Sequence, residues 1–290
     1  MVVGRFAPSP TGPLHFGSLV AAVASYCDAK SQGGLWWLRI EDVDQTRRVA
    51  GVSANIIQTL QRYGFTWDGE IVYQSQRDQY YEAALAQLRQ LGLAYACTCS
   101  RKEIADSSTL HGIEGVIYPG TCLQHPTKPD TPAAWRIKTD RSPIGFADPI
   151  QGHQQNNMAT DIGDFVIKRA DGLFSYQLAV VVDDALQGVT HVVRGADLLN
   201  STTRQIYLQQ LLGYPTPAYA HIPLVLNADG QKLSKQTLAT ALPDDNIVAT
   251  LIAALVFLQQ PLPDNALSLP LAHLWQWAFA HWQLPKITSD

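Results

Sequence analysis

Of 290 residues, 46% are hydrophobic and 16% charged, enough to bury the core of one large or two modest domains and too apolar for a disordered tail. The formal net charge of −4 argues against broad nonspecific binding to nucleic acid, so any RNA contact has to be a local basic surface. Met1 to Arg5 holds no charged leader, the longest apolar run, Ile247 to Leu258, is too short to span a bilayer, and four cysteines without a secretion signal suit a reducing compartment, so the expected location is the cytoplasm.

Val2 to Ala7 predicts a short strand, because the run is apolar with no amphipathic period, and Pro8, Pro10, Gly12 and Pro13 end it in a turn. His15 and Gly17 open the apolar run Leu19 to Ala24, which predicts a helix. Strand, turn and helix in that order aim the N–H groups of the first helical turn, and the positive end of its dipole, at a space where a phosphate fits. His15 is expected in that turn with its ring facing the same space. Leu35 to Ile40 predicts a second strand, interrupted by Arg39 and ending at Glu41 and Asp42. Residues past the carboxyl ends of parallel strands meet ligands, so Glu41 either caps the next turn or touches a ligand. Val52, Ile56, Leu60 and Tyr63 have helical spacing closed by Gly64, Ile71 to Tyr73 is a short strand, and Ser75 is the expected N-cap of a helix from Arg77 to Leu91.

The character changes at Cys97 and Cys99, which with Cys122 suggest a zinc site, since thiolates at Cys-x-Cys spacing can share one tetrahedral ion. The other reading is three buried thiols. From ligand chemistry alone His125 is the first choice for a fourth ligand, and Cys27 reads as a packed small hydrophobe. Prolines make 126–150 loop-rich with one strand at Ala134 to Lys138, and Phe165 to Lys168 turns at Asp171-Gly172 into Leu173 to Tyr176 as a hairpin. Residues 76–175 are therefore expected to form a β-rich insertion that splits a nucleotide-binding sheet.

The sheet is expected to resume with Leu178 to Val182 and Val189 to Val193 as strands, with Arg194 at the carboxyl end of the second. Ser201 to Leu212 predicts a helix carrying Arg204, a candidate RNA contact. Asn227 to Gly230 is a polar turn before Lys232-Leu233-Ser234-Lys235-Gln236. Asp244, Asp245 and Asn246 read as a capping cluster for an apolar helix to Leu258. A proline-rich break follows, then a terminal helix region in which Trp275, Trp277 and Trp282 are expected to pack.

His15-Phe16-Gly17-Ser18 and Lys232-Leu233-Ser234-Lys235-Gln236 together resemble the HIGH and KMSKS motifs of class I aminoacyl-tRNA synthetases. Arg5 to Gly12, Arg39 to Asp44 and His191 to Gly195 look more narrowly like the glutamyl-tRNA synthetase branch, over about residues 2 to 240. The large anticodon-binding region of full-length members has no counterpart, and the proline-broken residues after Gln236 read as a compact helical pair. This short form resembles the members that place glutamate on queuosine in the anticodon of tRNA(Asp).

The resemblance implies an α/β fold: a Rossmann-type parallel sheet split between 1–75 and 176–230, an inserted zinc-containing domain at 76–175 that grips tRNA, and a KLSKQ loop with a helical region at 231–290. It implies that His15, Gly17, Lys232 and Lys235 serve catalysis, with His15, Gly17 and Lys235 on ATP and Mg2+ accompanying the nucleotide. Arg5 and Arg194, at two strand ends, suit paired bidentate recognition of the glutamate γ-carboxylate. The resemblance adds Glu41 for the ammonium, Tyr176 as a hydroxyl donor, and the loop Phe6, Ala7, Pro8 and Ser9 as wall and polar contact. For zinc it favours Tyr118 beside Cys97, Cys99 and Cys122, against His125. The expected partners of the monomer are L-glutamate, ATP and queuosine-containing tRNA(Asp). Two other readings stand: a truncated synthetase charging the tRNA 3′ end, and a zinc-stapled tRNA-binding module without catalysis.

Overall fold

Apolar runs without a helical or alternating period become the inner strands and the buried helices. The computed structural model describes residues 1–125, 127–226 and 240–288. β1 (Val3–Phe6) leads into α1 (Phe16–Ser31) and then β2 (Leu35–Ile40), which pairs with β1 in parallel, Val3 opposite Leu35 and Phe6 opposite Leu38. α2 (Val52–Arg62) crosses to β3 (Val72–Tyr73), parallel to β2 on its far side. α3 (Asp78–Gln90) follows, without a side-chain cap. Ser75 is not its N-cap: its backbone N–H and hydroxyl both donate to the buried Asp42, at 2.9 and 2.7 Å, which ties the end of β3 to the end of β2.

β4 (Ala94–Cys97), α4 (Arg101–Ser107), the short pair β5 (His111–Gly112) and β6 (Gly115–Val116), α5 (Thr121–Gln124) and β7 (Ala134–Ile137) come next. The loop-rich reading of 126–150 needs correction: β8 (Pro143–Asp148) pairs antiparallel with β9 (Gly152–Asn157). Pro143 starts the strand, where its missing N–H costs no ladder bond. β10 (Val166–Lys168) completes the order β10, β7, β4, and its expected hairpin partner is reduced to one bridge, Lys168 to Phe174.

Leu178 to Val182 is not a strand but the heart of α6 (Tyr176–Leu186), with the Ser175 hydroxyl accepting from the Leu178 N–H. These five residues are buried all round, and an apolar run without period fits a core helix as well as a core strand. The parallel pairing resumes instead in β11 (His191–Gly195) and, after α7 (Leu199–Leu212), in β12 (Ala218–Ile222). β11 meets β1 at Thr190, whose N–H donates to the Val3 carbonyl at 2.9 Å and whose Oγ1 accepts from Val3 N–H. α8 (Ile247–Phe257) and α9 (Leu271–His281) close the fold. The acidic cluster before α8 does not cap it: Asn246 is left-handed without a capping bond, and Asp244 pairs with Arg62 at 2.6 Å.

Two cores flank the strands. The first gathers α1, α2, α8 and α9 on Trp36, Leu38 and Ile40; the second gathers α3, α6 and α7 with β7 and β8. β11 and β12 serve both, since Val193 and Ala220 face the first while Val192 and Tyr219 face the second. Trp275 lies in the first core and donates to the Tyr63 carbonyl at 3.0 Å, and Trp277 donates to the Pro261 carbonyl, so both pack as expected. Cys27 is fully buried there. Among the described residues no helix is long and apolar enough to cross a membrane.

Candidate active site and thiol cluster

The carboxyl ends of β1, β2 and β11 converge on a cavity of about 470 Å³. Arg5, Phe6, Ala7, Ser9, Glu41, Tyr176 and Arg194 all line it, although they come from four separate parts of the chain. Pro8 does not; its carbonyl accepts the Glu41 N–H at 3.0 Å and so fixes where β2 ends. Asp44, Arg47, Arg48 and Asp197 complete the charged lining.

Charge in this cavity is organised by buried partners. Arg39, wholly buried, donates to Asp184 at 2.7 Å, Glu41 at 3.2 Å and Gln187 at 2.7 Å, while Arg5 reaches the same Asp184 oxygen at 3.4 Å. Burial would raise the Asp184 carboxyl, but Arg39 and Arg5 hold it below the ordinary carboxylate value. At Glu41 burial prevails and pushes the carboxyl up, with Arg39 and Arg5 opposing. The neighbouring Asp183 accepts from Arg77 at 2.6 Å, Tyr81 at 2.7 Å and Gln74 at 2.9 Å, so α6 is pinned at two successive residues. Arg194 donates through Nε to His221 at 3.0 Å and through its two terminal nitrogens to Tyr176 at 3.4 Å and Thr202 at 2.9 Å.

Asp184, His221, Thr202 and Asp148 were not singled out in the sequence. The available signal was a polar residue at the end of or inside an apolar run, the pair Asp183-Asp184 behind Leu178 to Val182 and His221 within Ala218 to Ile222, because a buried polar group has to be bonded. Such a structure can orient one carboxylate between two guanidinium groups and one ammonium against a buried carboxyl.

His15 and Gly17 lie outside that lining. His15 is the N-cap of α1 and not part of its first turn: Nδ1 accepts the Ser18 N–H at 3.3 Å, which places the ring proton on Nε2. A side chain at 17 would meet that ring at 3.3 Å, so glycine there lets the ring lie back on the helix. Ala241 bridges to His15, and Leu242 N–H donates to the Leu14 carbonyl at 2.9 Å. Lys232 and Lys235 lie outside the described residues. Arg204, expected at an RNA surface, is mostly buried and ion-paired with Glu114.

Cys97, Cys99 and Cys122 hold their sulfurs within 4.8 Å of one another. The Tyr118 hydroxyl sits 3.5 Å from Cys99 Sγ and accepts the Cys122 N–H at 2.8 Å. His125 lines the adjoining cavity but does not join the cluster. Burial would raise the Cys122 thiol, yet hydrogen bonds from Tyr118 and the Thr98 backbone bring it to about 7. Three thiols and a phenol oxygen at these separations suit a tetrahedral thiophilic ion.

The family model for the catalytic domain of class I tRNA synthetases (E and Q) matches residues 1–250. The glutamyl-Q tRNA(Asp) synthetase of Dechloromonas aromatica is 55% identical over 285 residues, covering 98% of this chain and 95% of that protein. Its namesake from Thiobacillus denitrificans is 53% identical over 287 residues, covering 99% and 95%. Among solved structures, a glutamate tRNA ligase from Elizabethkingia meningosepticum in complex with its amino acid superposes with a TM-score of 0.80 at 25% identity, over 100% of this chain and 66% of that one. A family match over most of the chain, relatives more than half identical along nearly its full length and a shared α/β architecture agree, and the chain belongs to the glutamate and glutamine group of class I tRNA synthetases.

Proposed function

We propose that this ligase activates L-glutamate with ATP and transfers it to the cyclopentenediol of queuosine in the anticodon of tRNA(Asp). The observation that carries the amino acid assignment is the cavity in which Arg5 and Arg194 stand at two strand ends with the buried Glu41 between the same walls. The γ-carboxylate goes to the guanidinium groups and the Tyr176 hydroxyl, and the ammonium to Glu41. The α-carboxylate then attacks the α-phosphate of ATP, and pyrophosphate leaves. Little covalent work falls to the protein: it places the attacking oxygen in line and neutralises developing charge. His15, Gly17, Lys232 and Lys235 handle the triphosphate, with Mg2+ on the nucleotide. The described residues on either side of the lysine segment support this, since Val225 approaches Gly17 and Ala241 bridges to His15. A queuosine hydroxyl next attacks the activated carbonyl, AMP leaves, and an ester remains.

The acceptor assignment is supported by relatives named for glutamyl-Q tRNA(Asp) and matched over 95% of their own length. Residues 76–175 are assigned to tRNA contact, with one structural zinc held by Cys97, Cys99, Cys122 and Tyr118. The test has two parts. ATP–pyrophosphate exchange should proceed with glutamate and not with glutamine, because a neutral amide forfeits charge-assisted bonds of roughly 1.5–3 kcal/mol each; comparable rates would sink the pocket assignment. Labelled glutamate should then load tRNA(Asp) trimmed of its terminal adenosine and not tRNA(Asp) lacking queuosine, and the reverse pattern would restore charging of the 3′ end.

A further inference from the structure

His221 is fully buried on β12, where an imidazole is tolerated only if both nitrogens are bonded. Its Nδ1 stands 2.7 Å from Asp148 Oδ2, which also accepts the His221 backbone N–H at 3.0 Å. Asp148 Oδ1 accepts the N–H groups of Ile150 and Gln151, both at 2.9 Å, so the carboxylate is held as an acceptor on both oxygens. Nδ1 must therefore carry the proton. On the other side Arg194 Nε, which can only donate, lies 3.0 Å from Nε2, and Nε2 must accept. Two partners of single role thus fix one tautomer. Burial also holds this histidine below its ordinary pKa against the pull of Asp148, which keeps the ring uncharged.

The choice of an imidazole has a chemical effect. Arg5 and Arg39 bond directly to a carboxylate, whereas Arg194 is oriented by an uncharged acceptor, with the Asp148 carboxylate on the far side of that ring. The guanidinium is aimed while its charge stays available to the cavity. We infer that His221, oriented by Asp148, is a positioning residue that presents Arg194 to the anionic end of the substrate side chain and thereby sets affinity for glutamate. This rests on the reading of Arg194 as a contact to the γ-carboxylate.

The experiment measures ATP–pyrophosphate exchange for three variants of the full chain, with melting temperatures recorded alongside. His221→Leu removes the acceptor and should raise the KM for glutamate about tenfold, the loss of one charge-assisted bond, with kcat and the KM for ATP changed less than about threefold. His221→Gln can return an oxygen to the position of Nε2 and should recover most of the affinity. Equal glutamate KM values for the two variants would overturn the inference. Arg194→Ala separates the two readings: if it leaves the glutamate KM unchanged, the pocket assignment itself fails. If it raises that KM while His221→Leu does not, only the role of His221 fails. Should His221→Leu not fold, nitrogen chemical shifts of the ring in the unsubstituted protein still decide, since they should show a protonated Nδ1 and a bare Nε2, and the opposite tautomer would overturn the inference.

Discussion

Glu41 has a carboxyl that burial pushes above its usual value, and in the proposed role of ammonium partner it has to be ionised to work. The sign follows. As pH falls through that raised value the carboxylate takes up a proton, so the KM for glutamate should climb at a pH above the ordinary 4.5 of a glutamic acid. Glu41→Gln should weaken glutamate throughout and remove that limb of the profile; an unchanged profile in the variant would assign the titration to another group. Asp184 runs the other way. Arg39 and Arg5 hold it down against burial, so its share of stability is present at neutral pH and is lost as pH falls through its folded value. Glu41 itself was open in the sequence between turn cap and ligand contact. Its side chain accepts from Arg39 and lines the cavity, which is no turn cap.

Elements differ in how far their sequences reveal them, and α6 shows why. Leu178 to Val182 has no period, so burial was legible and conformation was not; what decides is the tertiary pinning of Asp183 to α3 and of Asp184 to Arg39, contacts between residues over a hundred positions apart. β1, β2 and the start of α1 were readable because proline, glycine and an apolar run coincide there, whereas the loop residues Phe6, Ala7 and Ser9 were reached only through the family resemblance. The β8–β9 hairpin was hidden by prolines and by a polar second strand, Gly152 to Asn157, which has no apolar alternation to reveal it. The thiol cluster was legible from spacing. Its prediction also belongs at this level: metal-replete protein should hold one zinc per chain, and chelation should loosen the segment around β4, α5 and β7 while glutamate-dependent exchange persists, since none of the three thiols lines the Arg5–Arg194 cavity. Exchange that falls in step with zinc loss would contradict this. Tyr118→Phe should release the ion more readily than His125→Ala.

At the scale of the molecule, α8 and α9 are not an appendage. Leu251, Ala254, Leu255, Leu274 and Trp275 belong to the same core as α1 and β2, so a chain shortened to residues 1–239 should lose its near-ultraviolet dichroism and its exchange activity together. A shortened chain with the native spectrum would refute that, and Trp275→Ala alone should cost about 3–5 kcal/mol, typical for a buried tryptophan. The buried arginines described above have a further consequence. Of these, Arg5 and Arg194 line the cavity together with Arg47 and Arg48, against Glu41, Asp44 and Asp197, so even with every acid ionised the lining carries one excess positive charge inside a chain whose total is −4. The cavity is a local deficit in electroneutrality. Free glutamate, with one net negative charge, closes it, whereas glutamine, with none, would leave a guanidinium uncompensated where water cannot screen it. Selection for the acid over the amide is then a property of the whole charged lining, and any change to one member of it alters which net charge the cavity accepts.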